Sequence, residues 1–478
     1  MKYDAVIIGS GPNGLAAAIT LADAGFSVHL VERNQTAGGG TRSAELTDPG
    51  FIHDVCSTVH PLAFSSPFFR KFSLDKKGVE WIMPPAVVSH PLENEPPVMQ
   101  YTDLDKTREF LGEDAVNYSK IMKPLIRKWK HILPDILGPL KIPAHPVSFL
   151  SFGMLAVQSA YGFTFRNFRQ HRAKALFSGM AAHSMLSLDQ KFSAAVGLVL
   201  MLLGHTAGWP IPRGGSQKIT NALLALFKSL GGEVETGKMV RTLKDIPDSR
   251  IVLFDTSPRE MSRIAGERFH QSYRNQLERF RYGPGIFKID WALREPIPFR
   301  SAQCSDSATV HVGGTLDEIA EAEEMVWQGR HPGRPFVILA QQTLFDPTRA
   351  PEGQHTAWAY CHVPSGSTVD MTRRIEDQIE RFAPSFRDII VQRHTMNSVD
   401  METYNPNYIG GDINGGLLNW KQLFFRPAIR FNPYTTPDPG LFICSSSTPP
   451  GGGVHGMCGY QAAQTVLRRV FGRSKESN

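Results

Sequence analysis

The chain has 478 residues, a length that exceeds one simple core and suits two packed domains. Its 51 Lys and Arg against 45 Asp and Glu give a formal net charge of +6, and a hydrophobic content of 41% excludes a disordered chain. The five cysteines form no CxxC pair, which excludes a disulfide framework and a Cys-rich zinc site.

The N-terminal region predicts a strand–helix–strand unit. Residues 5–8 form a short apolar run typical of a buried parallel strand, and the glycine-rich residues 9–14 follow. Residues 15–24 are rich in Ala and Leu, as in a helix that packs closely on a sheet. Residues 28–31 form a second strand that ends at Glu32, so this region has the order of a βαβ unit.

The middle of the chain predicts a helical region followed by a second sheet. Residues 106–161 have helical stretches interrupted by prolines, and residues 172–203 are mostly helical. We interpret the basic stretch from Lys120 to Lys174 as a solvated helix face; a face that attracts anionic lipid, nucleic acid or an acidic substrate is the alternative. The longest apolar run, residues 194–203, is too short to cross a bilayer. Further helices and strands are predicted at residues 217–230, 250–254, 285–293, 335–340, 356–362 and 371–382. The alternation of residues 285–293 predicts a half-buried strand.

Three glycines spaced as GxGxxG define the chemistry expected of the first unit. Gly9 permits a tight turn, Gly11 lets the backbone approach a pyrophosphate, and Gly14 allows the helix to pack closely on the strand. The amides at the start of the helix favour phosphate charge. Glu32 would accept hydrogen bonds from ribose hydroxyls and repel a 2′-phosphate, so NADP is disfavoured at this site.

A second glycine-rich segment lies near the C-terminus. Residues 441–444 predict a buried strand, and residues 445–456 lead from it to the start of another helix. Such a helix start can stabilise the negative charge that reduced flavin carries at N1 and O2. Residues 38–40 offer one more backbone approach near the pyrophosphate, and no second GxGxxG stands between a strand and a helix. We therefore predict FAD, bound non-covalently.

Seven stretches form a pattern that extends over nearly the whole chain. They are VIIGSGPNGLAAAITLADAG, VERNQTAGGGT, PGFIHDVCSTVHPL, GWPIPRGGSQKITNALLALFKSLGGEVETGKMV, YGPGIFKIDWAL, NYIGGDINGG and LFICSSSTPPGGGVHGMCGYQAA. This pattern resembles the phytoene desaturase-like branch of the FAD-dependent amine oxidase superfamily, and is similar to its bacterial proteins called phytoene dehydrogenase-related or pyridine nucleotide-disulfide oxidoreductase-domain-2-like. Members differ widely in substrate, so the resemblance transfers fold and cofactor better than substrate.

The resemblance implies an α/β fold with a Rossmann-type FAD-binding domain, built on a glutathione-reductase-like βαβ unit. This domain would be interleaved with a substrate domain made of a mixed sheet and a helical lobe. The implied FAD-binding segments are residues 1–75, 205–257 and 400–478. The implied substrate-binding segments are residues 76–204 and 258–399.

The resemblance also implies which residues contact the cofactor. They are Gly9, Gly11, Gly14, Glu32, Gly39, Gly40, Thr41, Arg42, Val240, Ser446, Gly453 and Val454. Val240 would contact the adenine side, Ser446 the ribityl-pyrophosphate, and Gly453 with Val454 the isoalloxazine. Two departures weaken the side-chain contacts: many relatives have Arg at position 40 and Gly-Asp at positions 445–446.

Few side chains need to be catalytic, because flavin N5 takes or gives the hydride. His455 is the first candidate, since the predicted helix start should face the flavin ring; a structural cap is its alternative role. His60 follows a stretch that lies near the flavin in relatives. Lys288 would hold a water against N5, as in amine-oxidising relatives, or form a surface pair with Asp290. His183 is interpreted as a buried, hydrogen-bonded histidine rather than a base, and no metal-ligand set is predicted.

The predicted function is hydride transfer between flavin N5 and a hydrophobic, isoprenoid- or carotenoid-like substrate, as in a dehydrogenase or desaturase. The apolar residues 149–203 would form the substrate pocket, with simple core packing as the alternative. An amine oxidase is a second hypothesis, although residues 448–459 lack the aromatic pair that such enzymes place beside the flavin. A redox-neutral isomerase, an NAD(P)H-fed saturase and a flavin-bearing scaffold without turnover complete the alternatives.

The expected partners are a hydrophobic small molecule and an electron acceptor, either oxygen or a quinone, and no nucleic acid. The charged N-terminus predicts no signal peptide, so we expect a cytoplasmic protein. The sequence leaves peripheral contact with a membrane open and does not determine the oligomeric state.

Overall fold

The computed structural model describes residues 1–472. Its strands are β1 (Tyr3–Ile8), β2 (Val28–Val31), β3 (Ser43–Glu45), β4 (Ile52–Asp54), β5 (Trp81–Ile82), β6 (Val88–Leu92), β7 (Glu95–Gln100), β8 (Ile211–Pro212), β9 (Glu233–Glu235), β10 (Ser249–Phe254), β11 (Gly285–Leu293), β12 (Thr309–Val312), β13 (Val337–Ala340), β14 (His355–Val363), β15 (Ile390–Met396) and β16 (Leu441–Ile443). Its α-helices are α1 (Pro12–Asp23), α2 (Pro61–Ser65), α3 (Pro67–Lys71), α4 (Leu104–Arg108), α5 (Ala115–Ile136), α6 (Pro146–Ala156), α7 (Ala160–Asn167), α8 (His171–Ala182), α9 (Ser193–Ala207), α10 (Gln217–Ser229), α11 (Pro258–Ala265), α12 (Gln271–Glu278), α13 (Leu316–Trp327), α14 (Thr372–Glu380), α15 (Ser398–Tyr404), α16 (Trp420–Phe424) and α17 (Met457–Arg469).

Five strands form a parallel sheet in the order β16-β10-β1-β2-β9. The four strands β1, β2, β10 and β16 are mainly apolar and buried because helices cover both faces: α1, α10 and α17 pack on one side, and α11 and α12 on the other. Helix α17 lies directly on α1, since a Cβ added at Gly459 would fall 1.7 Å from the Asn13 carbonyl oxygen. The first and last parts of the chain therefore share one layer.

Seven strands form a mixed sheet in the order β15-β11-β14-β13-β12-β6-β7. The neighbours are antiparallel except for β12 and β6. Strand β11 lies between β14 and β15, and all of its residues are buried. The prediction of a half-buried strand is wrong here, because Lys288 and Asp290 also face the protein interior.

A lobe of helices α5 to α9 packs beside the mixed sheet. Helix α9 contacts α5, α6, α7 and α8, and α8 in turn contacts α13, β6 and β7. None of the helices in residues 1–472 is both long and apolar enough to cross a membrane. The predicted α/β class with a mixed-sheet and helical part is confirmed. Every strand of the parallel sheet falls in the predicted FAD-binding segments, while the domain boundaries stay a prediction.

Candidate active site

A cavity of about 380 Å³ lies between the carboxyl edge of the parallel sheet and the inner face of the mixed sheet, a size typical of ligand sites. It brings together segments from both ends of the chain. The predicted cofactor residues that line it are Gly9, Gly11, Glu32, Gly39, Gly40, Arg42, Val240, Ser446, Gly453 and Val454.

The glycines at the edge of β1 leave their backbone open to this cavity. Gly9 has a φ of +102°, which favours glycine, and an added Cβ would lie 2.7 Å from the Asp255 carbonyl oxygen. A Cβ at Gly11 would lie 2.6 Å from Asp255 Oδ2, and one at Gly39 would lie 3.0 Å from Gly11 Cα. The loop and the start of α1 thus form a close-fitting backbone cradle of the kind that phosphates occupy.

Gly14 and Thr41 stand behind the cradle rather than in the cavity. A Cβ at Gly14 would lie 2.2 Å from the Gly9 carbonyl oxygen, so this glycine allows α1 to pack on β1, as predicted from the motif. Thr41 Oγ1 donates a hydrogen bond to the Gly38 carbonyl at 2.7 Å and lies 2.7 Å from Thr220 Oγ1. Thr41 therefore shapes the second glycine loop without reaching a ligand.

Glu32 is held in place at the end of β2. Its Oε2 accepts hydrogen bonds from the Ser10 backbone N–H at 3.1 Å and the Ser10 hydroxyl at 2.5 Å. Its Oε1 accepts one from the Asn34 backbone N–H at 2.8 Å. Ser10 and Glu32 thereby tie the glycine turn to the second strand, and the carboxylate still borders the cavity.

Asp255 is a site residue that the sequence reasoning missed. It follows β10 directly and lines the cavity, and its Oδ2 accepts a hydrogen bond from the Gly14 N–H at 2.9 Å. Burial raises the pKa of Asp255 to about 7, and the charge of Glu32 acts in the same direction. A carboxyl group that retains its proton near neutral pH does not repel a phosphate. Its position just after a buried parallel strand was the available signal.

His455 does not reach the cavity. Its Nδ1 accepts a hydrogen bond from the Met457 N–H, the first residue of α17, at 3.0 Å, and its Nε2 donates to the Gly451 carbonyl at 3.1 Å. Burial lowers the pKa of His455 to about 4. The ring is fully buried and both nitrogens are engaged, so the geometry is that of a helix cap, and Gly453 with Val454 face the cavity instead.

His60 does line the cavity. Its Nε2 lies 2.7 Å from Ser216 Oγ, and the Ser216 hydroxyl donates to the Ser57 carbonyl at 2.5 Å. Because the single serine proton is used there, His60 carries its proton on Nε2 and donates it to Ser216. Burial lowers the pKa of His60 to about 4, so the ring is neutral.

Lys288 lies behind the cavity wall. Its ammonium forms an ion pair with Asp290, and both side chains are buried. Lys288 Nζ lies 5.4 Å from the ring centroid of Trp358, whose ring lines the cavity. The expected surface pair is wrong, because the mixed sheet buries this face of β11.

A histidine pair borders the cavity on the side of the mixed sheet. His183, just after α8, lines the cavity, and its Nε2 lies 2.9 Å from Nε2 of His311 on β12. Burial lowers the pKa of His183 to about 3 and takes that of His311 well below its usual value. Both rings are neutral at physiological pH, so one proton lies between the two Nε2 atoms.

His90 lies beyond this pair, on β6. Its Nε2 donates a hydrogen bond to the Gly314 carbonyl at 2.7 Å, which leaves Nδ1 without a proton. A Cβ added at Gly179 on α8 would lie 2.6 Å from His311 Nδ1 and 3.1 Å from His90 Nδ1, so glycine makes room for both rings. Sequence reasoning missed His90 and His311 because the pairing of β6 with β12 joins distant parts of the chain.

Comparisons with known proteins agree with this geometry. Residues 7–72 match the family described as an NAD(P)-binding Rossmann-like domain. The chain is 24% identical to rat pyridine nucleotide-disulfide oxidoreductase domain-containing protein 2, over 98% of this chain and 94% of the relative. It is 23% identical to a lycopene-forming phytoene desaturase of Pseudescherichia vulneris, over 97% of this chain and 98% of the relative. A putrescine oxidase variant has a similar structure, with a TM-score of 0.65, 16% identity and 99% coverage of both chains.

The chain is an oxidoreductase that is similar to phytoene desaturases over nearly its whole length. The Rossmann domain and these relatives imply a flavin cofactor. In residues 1–472, no group of three or more His, Cys, Asp or Glu side chains is placed to hold a metal ion.

Proposed function

We propose that this oxidoreductase binds FAD non-covalently and transfers a hydride from a hydrophobic, isoprenoid-like substrate to flavin N5. One observation carries the proposal: two glycine segments from opposite ends of the chain line a single cavity, which continues into a pocket of aromatic and aliphatic side chains. The relative named as a phytoene desaturase supports an isoprenoid as the substrate class.

The residues of the cavity fit FAD. Gly9, Gly11 and Gly39 present backbone where any side chain would clash, which suits a pyrophosphate. Glu32 is placed for the ribose hydroxyls of the adenosine half, and Val240 borders the same cavity. When bound, the flavin accepts a hydride at N5 and carries the redox chemistry.

The substrate side of the cavity is mainly apolar and aromatic. Leu200 and Ile338 supply aliphatic walls, and Trp209 adds an aromatic one. Trp358 and Tyr360 stack with ring centroids 5.8 Å apart and an interplanar angle of 16°. The Trp358 indole is fixed by donating a hydrogen bond to Thr58 Oγ1 at 2.6 Å. These side chains exclude water and favour a substrate with a large apolar surface.

His183 is the side chain placed to exchange a proton with the substrate. Its Nε2 faces His311, and its Nδ1 bonds to no other group among residues 1–472. When the shared proton belongs to His183 Nε2, Nδ1 carries a lone pair and accepts a proton. A hydride lost to the flavin and a proton lost to Nδ1 together remove two hydrogens from the substrate. The electrons then pass to oxygen or a quinone.

The test starts with the purified full-length chain. We expect an absorbance band near about 450 nm, release of FAD on heat denaturation, and uptake of FAD but not FMN by stripped protein. Anaerobic mixing with phytoene or with geraniol should bleach the band. Protein that has no flavin and cannot be reconstituted with FAD refutes the cofactor, and a flavin that neither probe reduces refutes the substrate class.

Amine oxidation is the second candidate, and the Trp358–Tyr360 stack favours it. Sequence reasoning placed this hypothesis lower because residues 448–459 contain no aromatic pair. The structure provides two parallel rings from β14 instead, and both line the cavity. Bleaching of the flavin by putrescine or benzylamine, with peroxide released in air, would place amine oxidation first.

A further inference from the structure

Helix α6 and its neighbours place large apolar side chains on the protein surface. Ile142 is 89% exposed and Val147 is 76% exposed, whereas only Phe152 and Ala156 of α6 are buried. A surface helix of a globular protein usually turns charged residues outward, but α6 contains none. We call the exposed apolar set the α6 surface; its residues are Leu140, Ile142, Val147, Leu150, Met154, Val157, Tyr161 and Phe165.

The same lobe carries the positive charge of the molecule. Residues 115–174 contain ten Lys and Arg residues and one acidic residue, Asp135, which gives a formal charge of +9. The whole chain has a charge of +6, so the remaining residues together carry −3. The Asp135 side chain is only 5% exposed, and its Oδ1 lies 3.4 Å from Lys141 Nζ. The surface of this lobe is therefore strongly cationic.

Basic side chains alternate with the apolar ones. Lys141 stands between Leu140 and Ile142 in the sequence. Lys128 Nζ on α5 lies 3.4 Å from Ser151 Oγ on α6. On α7, the ring of Phe165 lies 5.0 Å from Lys174 Nζ. Apolar and cationic groups thus form one mixed surface rather than two separate patches.

We propose that the α6 surface docks on an anionic lipid bilayer. Its apolar side chains enter the boundary between headgroups and acyl chains, and the lysines and arginines bind anionic headgroups. This fits a peripheral contact, because none of the described helices is long and apolar enough to cross a membrane. The net charge of +9 favours an anionic bilayer over a second copy of the chain, because a second copy would bring the same positive charge to the interface.

The proposal also connects the bilayer to the substrate pocket. Helix α6 packs on α9, and Leu200 of α9 lines the cavity. One helix layer therefore lies between the α6 surface and the pocket. Docking itself does not depend on the proposed function, but the delivery of a lipophilic substrate from the membrane does.

Vesicle flotation of the flavin-loaded full chain tests the docking. We expect binding to vesicles of phosphatidylcholine with about 30% phosphatidylglycerol, at least about tenfold weaker binding to phosphatidylcholine alone, and weakening by salt. The triple variant Ile142→Glu, Leu150→Glu, Met154→Glu should lose about tenfold or more of the binding. Its flavin content and thermal unfolding should match the wild type, because all three side chains are exposed.

Val391→Glu is the control, since Val391 is 49% exposed on β15, outside this lobe. It should bind vesicles like the wild type. Wild-type protein that does not float with anionic vesicles, or a triple variant that floats equally well, overturns the proposal. A dimer in solution that the triple variant dissociates, without vesicle binding, would assign the surface to a second copy and overturn it too. Flavin loss in all variants would instead bear on the proposed function.

Discussion

The wild-type protein should lose folding stability as the pH rises because Asp255 is buried beside the glycine turn, and replacing Asp255 by Asn should remove that loss. The carboxyl group is buried and accepts a hydrogen bond from the Gly14 N–H at 2.9 Å, and burial raises its pKa to about 7. An asparagine has nearly the same shape as a protonated aspartate and can accept the same bond. The variant should therefore fold normally and still bind FAD.

The sign follows from proton linkage. Below pH 3.8 Asp255 is protonated in both the folded and the unfolded chain, so its ionisation does not change the free energy of unfolding. Between pH 3.8 and about 7 the folded state keeps a proton that the unfolded state has lost, so the wild type loses stability as the pH rises. The full loss is about 4 kcal/mol, of which about 3 kcal/mol falls between pH 5 and pH 8.

Urea unfolding of the flavin-free protein at pH 5 and pH 8 measures this effect. The free energy of unfolding of Asp255→Asn, relative to the wild type, should rise by about 3 kcal/mol between the two pH values. Asp75→Asn, at an exposed carboxyl group, controls for the change in overall charge. A relative stability that stays constant, or that falls as the pH rises, would show that Asp255 is ionised in the folded protein and refute the argument.

Three further predictions concern the cradle, a buried ion pair and the histidines. Gly11→Ala should abolish FAD uptake in a fluorescence titration, because its Cβ would lie 2.6 Å from Asp255 Oδ2. The control Gly153→Ala, whose added Cβ has no atom within 4 Å, should bind FAD normally in the same titration. Although burial opposes ionisation, Arg349 Nη2 lies 2.6 Å from the Asp54 carboxylate and lowers the pKa of Asp54 to about 2. Arg349→Met should therefore lower the free energy of unfolding, measured in urea, by about 3–5 kcal/mol. A decrease of less than about 1 kcal/mol would contradict a buried ion pair. His455→Gln should lower the melting temperature without changing the pH profile of flavin reduction, whereas His183→Gln should slow flavin reduction with little change in the melting temperature. Since the pKa of His183 is about 3, the wild-type pH profile should show no imidazole titration between pH 5 and pH 8. An inflection in that range would argue against a neutral His183–His311 pair.

The cofactor half of the site could be predicted because its signals are local. The apolar run, the glycine spacing and the alanine-rich helix are contiguous, and the observed β1, α1 and β2 begin and end within a few residues of the prediction. The late glycine segment could be assigned to the same site because backbone approach depends on residue type rather than on side-chain direction. Gly453 and Val454 accordingly line the cavity together with Gly9 and Gly11.

The orientation of the predicted catalytic side chains could not be derived from local sequence signals. His455 has the expected position in sequence, but Gly456 takes a φ of +67° and α17 begins at Met457, which turns the imidazole inward as a cap. Lys288 lies on a strand whose burial depends on β14 and β15, both of which come much later in the chain. Such orientations follow from the order of strands in the sheet, and a single sequence with no partner strand assigned does not determine that order.

The histidines behind the pocket argue that the cavity does more than hold a hydrocarbon. His311 Nδ1 is buried without a hydrogen bond among residues 1–472, and an unbonded buried polar group costs stability. A pocket needed only for apolar binding would be at least as stable with aliphatic residues in place of both His183 and His311. His311→Leu should slow flavin reduction, because His183 loses the neighbour that shares its proton. A variant that reduces the flavin as fast as the wild type would mean that the pair only fills space, and the proton transfer would have to be assigned to His60, which also lines the cavity.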